Sequence, residues 1–306
     1  MSGSANSMFN NRLRIIWLAL AFIPIVILAC SSEDQPVLNV GGIPDQDSSR
    51  LVRRYELFSD YLGDRLGVTV QYVPTVDYAA AVTAFSQGDL DLAFFGGLTG
   101  VQARIRNPGA QAIAQREHDA QFHSKFIAST SLAIGEPFDS LEGLRDVAPD
   151  LTLTFGSENS TSGHLMPRHF MERAGIDPDS DFRSLPNYSG SHDLTWKLVE
   201  SGSFDVGALN EDVWARAVDQ GLVDLQKVRV FYTTPDYFDY NWTVHSDIEK
   251  KFGPGFTGRL RDALLFLNPE EHGEILALFS TQKFIVSENA NYAAIEAVAR
   301  ELGILE

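Results

Sequence analysis

Residues 37–97 read VLNVGGIPDQDSSRLVRRYELFSDYLGDRLGVTVQYVPTVDYAAAVTAFSQGDLDLAFFGG. Val37–Gly42 is a short apolar run broken by Gly41 and Gly42, which predicts a strand. A polar loop over Pro44–Ser49 follows. Leu51, Tyr55, Phe58, Leu62 and Leu66 then recur at helical spacing, and Gly67 is placed to end that helix. Val68–Val73 alternates as a strand does. Asp77–Ser86 predicts a second helix stopped by Gly88, and Leu90–Phe95 a third strand running into Gly96-Gly97. Strand, helix, strand, helix, strand in that order implies a parallel α/β sheet.

Downstream, the same alternation restarts. Phe126–Ile134 reads as extended, Leu151–Phe155, Phe204–Leu209 and Val228–Tyr232 as strands, with helices at 140–145, within 160–175 and over 211–220. Helical stretches follow at about 247–251, 256–280 with a break at Asn268-Pro269, and 288–302. No linker rich in Gly, Pro or Ser separates the two units, so they are expected to be lobes sharing a cleft. The expected division is 37–128 plus 243–306 for lobe one and 129–242 for lobe two, with crossings near 128–132 and 233–243. Ligands of open parallel sheets sit beyond the carboxyl ends of the strands. The loops that follow strands, 43–49, 96–99, 156–163 and 210–212, are therefore the ones to examine.

The chain has 306 residues, 44% of them apolar, with 41 acidic against 24 basic side chains. That composition supports a real core. The net charge of −17 argues against nucleic acid, which needs Lys and Arg to displace counterions. A single cysteine, Cys30, excludes an internal disulfide and a Cys-cluster zinc site. His164 and His169, five apart, do not share a helix face and make no metal pair. No metal or other cofactor is expected.

Residues 1–29 carry Arg12 and Arg14 and no acid, then the apolar run Ile15–Leu28. About 14 residues are too few to span a bilayer, which takes roughly 20. The run reads as the core of a signal peptide over 1–29. It ends in Ile27-Leu28-Ala29-Cys30, which resembles a bacterial lipobox, where the cysteine becomes the lipidated first residue. The alternative is a short membrane anchor with an incidental cysteine. Cleavage before Cys30 leaves 277 residues at net −19, with 30–36 as a lipidated tether. Met8 is an alternative start to Met1.

The segment Ser160-Thr161-Ser162-Gly163-His164-Leu165-Met166-Pro167-Arg168 follows a predicted strand and opens a helix. It offers three hydroxyls, a glycine for close backbone approach, and the unpaired N–H groups of a first helical turn. It is neither a Walker loop nor a dinucleotide fingerprint. It resembles the signature of the phosphate/phosphite/phosphonate-type solute-binding proteins of ABC importers. Val76-Asp77-Tyr78-Ala79-Ala80, Asp91–Gly96, Gly190-Ser191-His192-Asp193 and Phe204–Ala208 resemble further segments of that family, in order. Gln115–Phe122 and Tyr237–Trp242 are similar to a branch often labelled selenate-binding.

That resemblance implies a two-lobed type II periplasmic-binding-protein fold of the α/β class. It implies a monomeric extracytoplasmic receptor, not an enzyme, lipid-anchored through Cys30. Its partners would be a small tetrahedral oxyanion (phosphonate, phosphite or phosphate, with selenate as a further candidate) and the transmembrane subunits of an ABC permease. It further implies that Ser160, Thr161, Ser162 and Gly163 hold the oxyanion from lobe two. Tyr78 would bond it from lobe one, and His192 would sit in the cleft. Asp212 aligns with an acid that holds the amino group of aminoalkyl phosphonates, with Glu211 beside it. A second acid falls near Asp239 or Tyr240. Phe122 departs from the pattern: phosphonate binders carry a tyrosine there, which argues against an aminophosphonate. Gly96 and Gly97 end the strand facing the cleft.

Taken singly, these residues have plainer readings. Tyr78 fits a helix-face core, Ser160–Ser162 an ordinary cap, and Glu211 and Asp212 the first turn of a helix, where acids are favoured anyway. The net charge slows capture of an anion without forbidding it, since screening acts over roughly 8 Å and local donors decide. An acid reaching the ligand would favour a protonated oxyanion over sulfate or selenate, which carry no proton at neutral pH. The alternative function is a receptor that reports an oxyanion to a membrane histidine kinase.

Overall fold

The computed structural model describes residues 35–132 and 141–305. The signal-peptide, lipidation and start-site expectations lie outside those residues, apart from the last two residues of the tether. Among the described residues, eleven strands form two sheets. Lobe one holds β1 (Leu38–Gly42), β2 (Val70–Tyr72), β3 (Leu92–Phe95), β4 (Gln111–Arg116), β10 (Asn241–Val244) and β11 (Phe284–Val286). Lobe two holds β5 (Ser124–Ser129), β6 (Leu153–Phe155), β7 (Asn187–Tyr188), β8 (Val206–Asn210) and β9 (Val228–Thr233). The strand orders are β11-β4-β10-β3-β1-β2 and β7-β6-β8-β5-β9.

The parallel expectation holds for β1 with β2 and β3, and for β6 with β7 and β8. It fails for the strands next to the crossings and for β11, which runs antiparallel to β4. β10 runs antiparallel to β3 and β4, and β5 antiparallel to β8 and β9, so both sheets are mixed. The first crossing also moves. Ser124–Ser129 pairs wholly within the second sheet, so the chain crosses at 117–123, not at 128–132. The second crossing, 234–240, falls within the expected 233–243. The crossings run side by side: Phe122 and Tyr237 exchange backbone hydrogen bonds at 2.9 and 3.0 Å, and Asp239 N–H donates to the Asp119 carbonyl at 3.0 Å.

Local chemistry fixes the helices that face the cleft. Asp77 caps the helix Tyr78–Gln87 by accepting from Ala80 N–H at 2.6 Å, and Gly88, at φ 82°, ends it. Asp47 caps Ser48–Leu66 likewise, and Gly67 at φ 69° closes that helix. Leu51, Tyr55, Phe58 and Leu62 bury its inner face. Phe58 stacks on Trp242 at 4.7 Å, and both pack against Phe279. Each such fully buried side chain contributes roughly 1.5–3 kcal/mol, so this aromatic group anchors lobe one. In lobe two, Phe126, Leu153, Phe155, Val206 and Ala208 form the core under one face of the sheet. Ile127, Trp196, Leu209 and Val213 pack under the other.

Candidate functional site

The Ser-Thr-Ser-Gly segment forms one π-helical turn, Thr161–Leu165, leading into the helix Met166–Arg173. Ser160 caps it, its Oγ accepting from Gly163 N–H at 2.9 Å. Ser160, Thr161 and Ser162 are all buried. Thr161 reaches across the cleft: its Oγ1 accepts Leu98 N–H at 3.0 Å from the first turn of the lobe-one helix Gly97–Arg106. The Ser162 carbonyl accepts from Ser124 Oγ at 2.7 Å. Gly163 is required by crowding. A Cβ there would lie 2.9 Å from His192 Cε1 and 3.1 Å from the backbone of Gly156.

His192 begins the helix His192–Glu200 and is wholly buried. Burial lowers its imidazole pKa to about 4, so the ring is neutral at pH 7. Asn210 N–H points at Nδ1 at 3.3 Å. Nδ1 is therefore the acceptor, and Nε2 carries the proton. That Nε2 is buried with no partner in the protein. It is a buried donor without an acceptor, on a ring packed against Gly163.

Tyr78 opens its helix with its hydroxyl buried and unpartnered. Burial, then the fields of Asp45 and Asp239, hold its pKa far above the usual tyrosine value, so it too is a donor. Asp239 closes the set. Its Oδ1 accepts Gly97 N–H at 2.9 Å, while Oδ2 is buried without a partner beside the Thr161 and Ser162 hydroxyls. Burial pushes this carboxyl up to about 7. Gly96 makes the approach possible: a Cβ there would lie 3.1 Å from Thr161 Oγ1 and 3.2 Å from Asp239 Oδ1. The structure thus brings Tyr78, Ser160, Thr161, Ser162, Gly163, His192, Asp239, Gly96 and Gly97 to one place between the lobes.

It sends the Glu211 and Asp212 carboxylates elsewhere. Asp212 Oδ2 is held by Arg116 Nη1 at 2.5 Å and His118 Nε2 at 3.0 Å. Arg116 also grips Asp119 and lies 4.6 Å from the Tyr240 ring, behind the wall formed by Phe94, Phe122 and Tyr240. Burial opposes ionisation of Asp212, but Arg116 and His118 keep its pKa below the usual carboxylate value. Glu211 Oε1 takes His123 N–H and Nδ1 at 3.0 Å each. Both acids follow Asn210 into the first turn of Glu211–Asp219, but Arg116 and His118 capture Asp212, and His123 and Lys125 capture Glu211. The Tyr240 hydroxyl is likewise engaged, between Asn210 and Asp45. Phe122 is fully buried in the wall with no polar atom to offer.

Sequence reasoning missed Asp45 and Asn210. Asp45 lies in the 43–49 loop, 2% exposed, its Oδ1 at 3.7 Å from Arg54. Asn210 was legible as the cap residue before Glu211-Asp212, since Asn is a preferred cap, but its bonds to His192 and Tyr240 were not. Among the described residues, no group of three or more His, Cys, Asp or Glu side chains could hold a metal ion.

Two mixed sheets joined by paired crossings, with hydroxyl, imidazole and carboxyl groups converging between them, define a periplasmic solute-binding protein. Residues 40–292 match the family described as the periplasmic substrate-binding protein of phosphonate ABC transporters, and the chain belongs to that family. It is 40% identical to a probable ABC transporter phosphite binding protein, PhnD1, of Prochlorococcus marinus strain MIT 9301, over 96% of this chain and 99% of the relative. It is 25% identical to the phosphonates-binding periplasmic protein of Escherichia coli K12, over 68% of this chain and 60% of the relative. The solved structure of PhnD1 with methylphosphonate superposes with a TM-score of 0.85 at 42% identity, covering 88% of this chain and 99% of that one. A phosphonate-transporter binding protein of Pseudomonas aeruginosa matches in fold, at a TM-score of 0.75 and 24% identity over 87% and 86% of the two chains. The chain is therefore an extracytoplasmic substrate-binding component of an ABC importer, and not an enzyme.

Proposed function

We propose that this chain captures a small phosphorus oxyanion, phosphite or methylphosphonate in size, and delivers it to a membrane permease. The observation that carries this reading is the unpartnered Oδ2 of Asp239, buried among the Thr161 and Ser162 hydroxyls and facing the same space as Tyr78. Tyr78 OH, His192 Nε2–H and the hydroxyls of Ser160–Ser162 donate to ligand oxygens. One proton is shared between Asp239 Oδ2 and a ligand oxygen. A phosphorus oxyanion can bring that proton itself. Sulfate and selenate bring none, so they can meet Asp239 only in its acid form. The aromatic wall of Phe94, Phe122 and Tyr240 suits a small apolar substituent on phosphorus. The role first given to Asp212 passes to Asp239. PhnD1, whose solved structure holds methylphosphonate, supports the size of ligand. The importer reading, and not the kinase-coupled receptor, follows the family match.

Thermal shift of the purified, detergent-solubilised chain with phosphite, methylphosphonate, phosphate, sulfate and selenate tests this. A true ligand raises the unfolding midpoint with concentration. Stabilisation by selenate or sulfate alone would overturn the reading. We further propose a monomer anchored by lipid on Cys30. Cys30→Ser should move the protein from the membrane fraction to the soluble fraction and abolish fatty-acid labelling, and retention with label would refute the anchor.

A further inference from the structure

Asp45, Tyr240, Asn210 and His192 close a ring of four hydrogen bonds, and every member is buried. Tyr240 OH donates to Asp45 Oδ2 at 3.0 Å and accepts from Asn210 Nδ2 at 2.9 Å. Asn210 N–H donates to His192 Nδ1 at 3.3 Å, and His192 N–H donates to the Asp45 carbonyl at 3.2 Å. The single proton of the Tyr240 hydroxyl is thereby committed to Asp45. The ring spans three parts of the fold. Asp45 belongs to lobe one, His192 and Asn210 to lobe two, and Tyr240 to the second crossing. Of its four links, the Asn210–His192 bond lies within one lobe.

We propose that Asn210 and Tyr240 are positioning residues for ligand capture, setting the His192 proton toward the ligand and tying that setting to lobe closure. The inference rests on the functional reading above. Asn210 does the first task through its backbone N–H, which makes Nδ1 the acceptor and leaves Nε2 to donate. It does the second through its side chain, which carries the lobe-two end of β8 to Tyr240, and Tyr240 carries it on to Asp45. Hinge opening in such proteins separates the lobes. Here it must part Asn210 from Tyr240 or Tyr240 from Asp45, and His192 from Asp45. Each parting unmakes a buried hydrogen bond that touches no ligand. The ring therefore slows release without adding a ligand contact.

Two substitutions test this in the detergent-solubilised full chain, with methylphosphonate as the probe. Tyr240→Phe removes the shared hydroxyl. Asn210→Ser keeps a cap acceptor for Val213 N–H and the backbone donor to His192, and is too short to reach Tyr240. Stopped-flow binding is expected to show dissociation faster by roughly tenfold or more in each, Asn210→Ser losing one buried hydrogen bond and Tyr240→Phe two, with association nearly unchanged. The double variant should be no worse than Tyr240→Phe alone, because that change already removes the bond that Asn210→Ser breaks. The unfolding midpoint without ligand should stay within a few degrees of the parent. Unchanged dissociation, additive effects in the double variant, or a lowered midpoint with unchanged rates would each overturn the inference. Failure of the unsubstituted chain to bind any phosphorus oxyanion would instead overturn the functional reading, and this inference with it.

Discussion

Asp239 accepts the Gly97 amide on Oδ1 at 2.9 Å and holds Oδ2 buried and unpaired. One oxygen of the carboxyl thus fixes the second crossing to lobe one, and the other is left without a partner. Asp239→Asn keeps an acceptor for Gly97 but turns the unpartnered atom into a donor. Methylphosphonate affinity should fall roughly ten- to hundredfold, as for a buried acceptor replaced by a donor. Sulfate and selenate should gain relative to it. Above pH 7 the parent should lose affinity as the shared proton is lost, while the Asn variant should not. Calorimetric titrations from pH 6 to 8.5 read both effects, and equal losses for all anions would refute the assignment.

Asp239 and His192 pull stability in opposite directions with pH. Asp239 is raised to about 7 by burial, so the folded chain holds a proton there that the unfolded chain releases near 4. Its contribution is full below about pH 4 and is lost as pH rises through about 7. His192 is lowered to about 4 by burial, so its contribution is full above about 6.5 and is lost as pH falls through about 4. Between those values the two slopes offset. Relative to the parent, Asp239→Asn should gain stability with rising pH across 4 to 7, and His192→Gln should lose it across 4 to 6.5. The slope in each case is at most about 1.4 kcal/mol per pH unit. Urea unfolding at half-unit pH steps checks this, and parallel curves for parent and variants would sink it.

Gly96 has an ordinary φ of −72°, so alanine there meets no backbone strain. The cost is steric and falls between Thr161 and Asp239. Gly96→Ala should weaken methylphosphonate binding by roughly ten- to hundredfold, the range expected for one methyl too many in a packed place. The unfolding midpoint without ligand should barely change. Calorimetric titration giving the parent's methylphosphonate affinity would contradict this.

Arg116 and Asp212 separate structure from recognition. Removing Arg116 leaves Asp119, which is wholly buried, without its cation. Arg116→Ala should cost about 3–5 kcal/mol in urea unfolding. Asp212→Asn should leave methylphosphonate affinity within about threefold, since its carboxylate serves Arg116 and His118 and loses only part of a network. A hundredfold loss on Asp212→Asn would restore that residue to the ligand set.

The first sheet was legible because its helices carry their own punctuation: Asp77, Gly88 and Gly67 lie at the ends that the sequence predicts, while Asp47 starts its helix inside the stretch read as a loop. The signature around Ser160 was legible as a motif, and the structure puts it facing His192 and Asp239. What escaped was long-range. β10 and β5 run antiparallel because the chain enters each lobe across a short crossing, and nothing within Ser124–Ser129 or Asn241–Val244 encodes which sheet receives it. Asp212 misled for a similar reason. An acid in the first turn of a helix reads the same whether it faces ligand or arginine, and Arg116 is 96 residues away. Asp45 and Asn210 gave no signal of their joint role, since 165 residues separate them and Tyr240 joins them.

The second crossing carries Tyr237, Asp239 and Tyr240 within four residues of the point where β10 begins. The segment that joins the lobes thus also carries Asp239, the acid proposed to meet the ligand. On the roles proposed above, the acid that sets anion preference and the hydroxyl that slows release are neighbours on one short piece of backbone.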